Sequence, residues 1–298
     1  MPRFNTGPAL AAVTGIGLLS VMDGMIKYVA TEHGIGQIGV MRYAFGALAA
    51  YLVFRAARTP WPDAATVRPH AWRSVVVAAT ALLFFYSLAV LPLAVALALS
   101  FTSPIFIALF AAAILGERPG RPILIALVLG FAGVLVVLWS ELTHTGGEEA
   151  NALGLAAAIG AAITYALSMV VLKSRAARDP LPTIVLLQNS FAGLLLAPLG
   201  IWQWTAPAGG EILVFVGIGV LGTAGHLCMA WAYGRADASR LGVFEYTAFV
   251  WALAIGLLAF GEVPAVSTLL GATLIVGGAL VASGRTKAPP EPEIEIGP

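Results

Sequence analysis

The chain predicts an all-α membrane protein of ten transmembrane helices, built as an inverted repeat of two five-helix halves, and three observations carry that reading. Of its 298 residues, 59% are hydrophobic and 10% charged, where soluble domains carry about 25% charged residues. Apolar segments of about the 20 residues that a helix needs to cross hydrocarbon follow one another with short polar breaks. The third observation is internal similarity. Gly116-Glu117-Arg118-Pro119 returns 145 residues on as Gly261-Glu262-Val263-Pro264, Gly133 falls on Gly278, and Lys27 and Phe45 return 146 residues on as Lys173 and Phe191.

In chain order the spans are expected at about 8–30, 36–54, 72–90, 94–115, 122–140, 152–172, 182–203, 211–233, 241–260 and 265–283. The first holds Asp23 and Lys27, and no small-residue cleavage site separates it from the second. It reads as a retained helix and not as a signal peptide. In the fourth, Pro104 lacks the N–H that would bond a carbonyl one turn earlier, so a kink is expected there. The sixth carries Gly154, Ala158 and Ala161, and the eighth Gly217, Gly219, Gly222 and Gly225, small residues that let helix backbones approach closely. The single cysteine, Cys228, lies in the eighth span, so neither a disulfide framework nor a thiolate metal cluster forms within one chain. Residues 1–145 make the first five-helix unit and 146–287 the second, and the Pro- and Glu-rich segment 288–298 is expected as a disordered tail.

Charge fixes the expected orientation, because cytoplasmic loops hold an excess of Lys and Arg near helix ends. With both termini inside, 14 of the 16 basic residues fall on the cytoplasmic side: Arg3, the group Arg55, Arg58, Arg68 and Arg73, then Arg118, Arg121, Lys173, Arg175, Arg178, Arg235, Arg240, Arg285 and Lys287. The other two, Lys27 and Arg42, lie in the first and second spans near their outer ends. Glu32, Glu141, Glu148, Glu149 and Glu211 fall outside. Trp61, Trp72, Trp139, Trp202 and Trp204 stand at span ends, where amphipathic rings meet the headgroups.

An odd number of helices per half makes the second half enter the membrane in the opposite sense to the first. Two such bundles have two near-equivalent arrangements, and rocking between them opens a central site to one side and then the other. This points to a transporter, a symmetry that receptors and membrane enzymes do not need.

The duplicated unit, the run Pro-Ile-Phe-Ile-Ala-Leu-Phe-Ala from Pro104 to Ala111 and the two Gly-Glu-x-Pro signatures resemble the drug/metabolite transporter superfamily, specifically its ten-helix EamA-type branch. General similarity makes the chain look most like the YddG-type aromatic amino-acid exporters of that branch. The resemblance implies a central cavity lined by spans 1, 3, 4, 6, 8 and 9, with spans 5 and 10 at the back. It also implies export of metabolites across the inner membrane without an ATP-binding part, and the sequence holds no Gly-x-x-x-x-Gly-Lys-Ser/Thr run for nucleotide phosphates. No cofactor, metal or nucleic acid is expected. The expected partners are a small-molecule substrate, an amino acid first of all, and the lipid bilayer, with the protein a monomer.

Ionisable groups inside a span are costly and face the bundle interior, which singles out Asp23, Lys27, Arg42, His226 and Glu245. Asp23 and Lys27 are spaced i, i+4 and share a helix face. They read either as a charged latch at the outer mouth or as a structural pair near the headgroups, and Arg42 reads as an interfacial anchor. Glu245 and His226, on spans that the resemblance places around the cavity, read as substrate-binding groups and as the route of any proton coupling. The alternative for Glu245 is an interfacial salt bridge to Arg240 or Arg235. Phe84, Phe85, Tyr165 and Phe249 suit an aromatic pocket, with Met169 beside them and Ser100 and Ser103 bonding the polar end of the substrate. Gln188 and Asn189 read as interhelical hydrogen-bond partners.

The function read from the sequence is an exporter of aromatic and other amino acids by alternating access. The alternatives are a broad drug or cation extruder or importer, and, from another class, a membrane-embedded sensor. An enzyme is disfavoured: there is no His-x-x-x-His pair, no Gly-x-Ser-x-Gly elbow and no closely spaced intramembrane aspartates. The orientation is checked by labelling single cysteines in each loop. Arg118→Cys should react only with reagents that reach the cytoplasm, and labelling from outside rejects the topology.

Overall fold

The computed structural model describes residues 6–116, 121–144, 149–176, 178–235 and 247–283. Every regular element among them is an α-helix. In chain order these are α1 (Thr6–Val29), α2 (Ile35–Ala56), α3 (Ala64–Val90), α4 (Leu93–Ser100), α5 (Ser103–Leu115), α6 (Arg121–His144), α7 (Glu149–Ala176), α8 (Leu181–Trp202), α9 (Glu211–Tyr233), α10 (Thr247–Phe260) and α11 (Val266–Ser283). Seven stretches are long and apolar enough to cross a membrane: Leu10–Val29, Ile35–Ala56, Ala64–Val90, Val95–Leu115, Ala152–Ala176, Leu181–Trp202 and Glu211–Tyr233. The helices α6, α10 and α11 lie where the fifth, ninth and tenth spans are expected, and the total of ten rests on the sequence pattern.

Two local features follow directly from residue type. The predicted fourth span is broken and not merely kinked: α4 stops at Ser100, Phe101 and Thr102 turn, and α5 restarts at Ser103 with Pro104 in its first turn. Proline suits that position because the first N–H groups of a helix have no intrahelical acceptor. Then the glycines of both Gly-Glu-x-Pro signatures take positive φ, 72° at Gly116 and 66° at Gly261. Residues with a Cβ enter this left-handed region only at a cost, so each glycine terminates its helix, α5 or α10.

The two halves are interleaved. α2 packs on its repeat mate α8, and α6 on its mate α11. The remaining large contacts come in exchanged pairs: α1 with α9 as α7 with α3, α2 with α9 as α8 with α3, and α1 with α10 as α7 with α5. This is the pattern of two repeats related by a pseudo-two-fold axis. Lipid tails are as apolar as leucine, so such contacts depend on close van der Waals packing. At Gly225 an added Cβ would lie 2.7 Å from Leu19 and 3.0 Å from the Gly15 carbonyl oxygen, which fixes how near α1 and α9 run.

Gly219 does the same for α2 and α9. A Cβ there would meet the Phe45 Cβ at 2.5 Å and the Gly46 nitrogen at 2.7 Å. Gly219→Ala should therefore cost roughly 1–3 kcal/mol and lower the melting temperature of the detergent-solubilised protein. Gly209→Ala, with nothing within 4 Å of the added atom, should leave it unchanged.

Candidate functional site

Between the halves lies a cavity of about 210 Å³, smaller than the roughly 300–1,000 Å³ of pockets for drug-sized ligands. It takes side chains from α1, α2, α3, α4, α5, α7, α8, α9 and α10, and among the described residues none from α6 or α11. The contributions of α2 and α8, the second and seventh spans, depart from the expected lining. They enter through Arg42 and Tyr43 on one side and through Ile184, Val185 and Gln188 on the other.

One group of lining residues is aromatic: Phe84, Phe85 and Phe101 from the first half and Tyr165 from the second. Phe85 is buried at 3% exposure. Met169, Ser100 and Ser103 also border the space, and the Ser100 hydroxyl donates to the Ala96 carbonyl at 2.9 Å. His226 is held by Nδ1, which donates to the Gly222 carbonyl at 2.7 Å. A carbonyl only accepts, so the neutral ring keeps Nε2 as an acceptor.

The second group is charged, and here the sequence reading is corrected three times. Asp23 lines the cavity, but its i+4 neighbour Lys27 does not pair with it. Lys27 bonds Glu262 Oε1 at 3.1 Å and donates to the carbonyls of Leu91 at 2.7 Å and Leu88 at 3.3 Å. A shared helix face permits the Asp23–Lys27 contact, but Glu262 and the end of α3 offer Lys27 more acceptors. Arg42 is not an interfacial anchor: it is 4% exposed and borders the cavity, its guanidinium 4.1 Å from the Tyr43 ring. Nor is Arg73 a loop residue. It is 2% exposed, with Nε donating to the Ser168 carbonyl at 3.2 Å and Nη2 to Gln188 Oε1 at 2.9 Å.

The burial of Arg73 has a local cause. α3 starts at Ala64, well before the expected 72, because Asp63 caps it by accepting from the Thr66 N–H at 2.9 Å. That hydrogen bond holds the exposed Asp63 carboxyl below the usual carboxylate range. Arg73 then lies nine residues inside the helix, about 14 Å at ~1.5 Å per residue. The cap residue was the signal in the sequence that places it there.

Glu245 lies outside the described residues, as does the side chain of Phe249, which belongs to α10. Gln188 is an interhelical partner as expected, whereas Asn189 donates within α8 to the Val185 carbonyl at 2.9 Å.

Polar pairs link helices towards both ends of the bundle. At the end expected outside, Glu262 joins Lys27 to the start of α4, its Oε2 accepting from the Leu93 N–H at 2.8 Å. Beside it His33 meets Glu211 at 3.2 Å, and Gln37 exchanges two hydrogen bonds with the Thr205 backbone. At the other end His70 and Arg175 share Asp179, each at 2.9 Å. Arg175 and Asp179 are i, i+4 neighbours on the chain, whereas nothing in local spacing announces the other pairs, which are up to 235 residues apart (Lys27 to Glu262, 262 − 27).

A membrane-embedded helical bundle of two repeats, with a small charged and aromatic cavity between them, defines a membrane transporter. The chain belongs to the EamA-like transporter family, whose profile matches residues 8–139 and again 152–284. It is 30% identical to a pseudopaline exporter of Pseudomonas aeruginosa over 279 residues, 93% of this chain and 96% of that one. It is 31% identical to a riboflavin transporter of Rhizobium johnstonii, over 71% and 68% of the two chains. An S-adenosylmethionine uptake transporter of Rickettsia felis is 26% identical over 90% and 92%. A solved crystal structure shares the fold with a TM-score of 0.68 at 24% identity, covering 93% of this chain and 96% of that one. These relatives are named for pseudopaline, riboflavin and S-adenosylmethionine, and they lend no support to the narrower likeness to YddG-type aromatic amino-acid exporters.

The Lys27–Glu262 contact yields a test of the outer closure. On a Cys228→Ala background, Ser20→Cys in the cavity wall should react slowly with a membrane-impermeant maleimide added outside. Glu262→Gln, which removes the charge that holds Lys27, should speed that reaction severalfold. An unchanged rate means that this pair does not seal the cavity.

Proposed function

We propose that the protein moves small amphipathic metabolites across the inner membrane by alternating access through this cavity, with export of aromatic and other amino acids as the specific activity. The observation that carries the reading is the composition of one cavity. Aromatic side chains of both halves supply stacking surface, and Asp23, Arg42 and Arg73 supply both signs of charge for a zwitterion. The inverted-repeat reading of the sequence supplies the two states that such a cycle needs. The small volume argues against a broad drug extruder. Among the described residues, two buried arginines against one aspartate argue against a carrier of cations.

The test is flux in liposomes containing the pure protein, with labelled phenylalanine, tyrosine, tryptophan, leucine and riboflavin offered in turn. Saturable uptake of the aromatic amino acids supports the reading, saturable flux of riboflavin alone moves the substrate class, and no flux of any compound favours a sensor. Phe85→Ala should slow the aromatic substrates up to about tenfold and leucine by less. Equal loss across substrates would mean packing damage in place of a lost stacking partner.

A further inference from the structure

The two cavity arginines differ in how far the protein satisfies them. A guanidinium carries five N–H donors and cannot lose its charge at any accessible pH. Arg73 has its Nε and Nη2 bonded to Ser168 and Gln188. Among the described residues Arg42 has no hydrogen-bond partner at Nε or at Nη1, both of them buried, and these two atoms carry three of its five donors. No carboxylate among the described residues lies within ion-pair distance of it. Asp23 is near enough to act on it electrostatically without a direct bridge. A buried cation without a partner costs several kcal/mol, and such a group persists where something else completes it.

The surroundings hold Arg42 ready. Its guanidinium lies over the Tyr43 ring, which orients the plane. The neighbouring α9 presents Gly222, where a Cβ would meet Met22 Sδ at 2.7 Å and Arg42 Nη2 at 3.3 Å. Without that side chain the guanidinium fits against the helix. The position 146 residues on is Gln188, also at the cavity, so the first repeat bears a fixed positive charge where the second bears a neutral amide.

We infer that Arg42 is the anion-binding residue of the transport site, and that the substrate carries a carboxylate which completes its unbonded guanidinium donors. Arginine suits this group because its planar donors match the two oxygens of a carboxylate. The inference rests on the cavity being the substrate site and narrows that reading to acids. It places the acid group of the substrate at Arg42 on α2, a helix outside the set that the sequence assigned to the cavity.

The experiment compares acids with their amides. Melting temperature and competition binding are measured on the wild-type protein in detergent, with phenylalanine against phenylalaninamide and leucine against leucinamide. Arg42→Met and Arg42→Lys follow, and liposome flux of the same four compounds is recorded in parallel. The wild type should prefer each acid to its amide by about tenfold to a hundredfold, the range of hydrogen bonds to a charged group. Arg42→Met should bring that ratio to about one, and Arg42→Lys should retain part of it, as a point charge without the planar fork does. Amides that bind as tightly as acids, no stabilisation by either acid, or an unchanged ratio in Arg42→Met each overturn the inference. Should Arg42→Met fail to fold, the wild-type ratio and Arg42→Lys still decide. Flux without preference for acids leaves the transporter standing and removes this role of Arg42. Selective binding of acids without flux supports the role and removes the transporter.

Discussion

A charge inside a bilayer has no water to turn to, and the interior of this bundle is organised around that constraint. Asp23, Arg42, Arg73 and His226 all border one cavity inside the bundle, where they meet other polar groups. Arg73 is met by a carbonyl and an amide from the second half, and Lys27 by Glu262 and the end of α3. His226 is met within its own helix. To bring these groups together, α1, α2 and α9 must run almost in backbone contact, which Gly15, Gly219 and Gly225 permit. The cavity is what remains between helices that approach closely at glycines and are held apart by larger side chains.

The repeat and its departures both bear on function. The duplicated backbone supplies the pairs of exchanged contacts, but among the described residues the formal charges of the cavity are not duplicated. Asp23, Arg42 and Arg73 all belong to the first half, and the positions 146, 146 and 145 residues on are Met169, Gln188 and Ile218. Symmetry of the backbone allows two states of similar energy, and asymmetry of the side chains allows a substrate to bind in one orientation. The Gly-Glu-x-Pro signature has two separable parts. Its glycine stops a helix in both copies, and in the second copy its glutamate reaches across to α1 and α4.

Most of the architecture was legible along the chain, for a physical reason. Hydropathy over 20 residues, the bias of positive charge and an offset of 145 or 146 residues are properties of neighbouring positions, and the bilayer or the duplicated backbone imposes them whatever the helices do to one another. They determined the helical class, the approximate position of most spans and the repeat, and the Gly-Glu-x-Pro and Pro104–Ala111 motifs pointed to the family. Together with the cavity-lining spans that the family resemblance implied, they singled out Phe84, Phe85, Ser100, Ser103, Tyr165, Met169, His226 and Asp23, all of which border the cavity. What they could not determine was the partner of each charge, since that depends on the rotation and depth of one helix against another. Arg73 was counted with the cytoplasmic group Arg55, Arg58 and Arg68, yet the cap at Asp63 starts α3 early and places it nine residues inside the helix. Lys27 was matched to the nearest acid in sequence, and the fold gave it one from the far end of the chain. Arg42, two turns from a helix end, was read as a surface anchor, and only the packing of α9 at Gly222 turned it into a buried cation at the edge of the cavity.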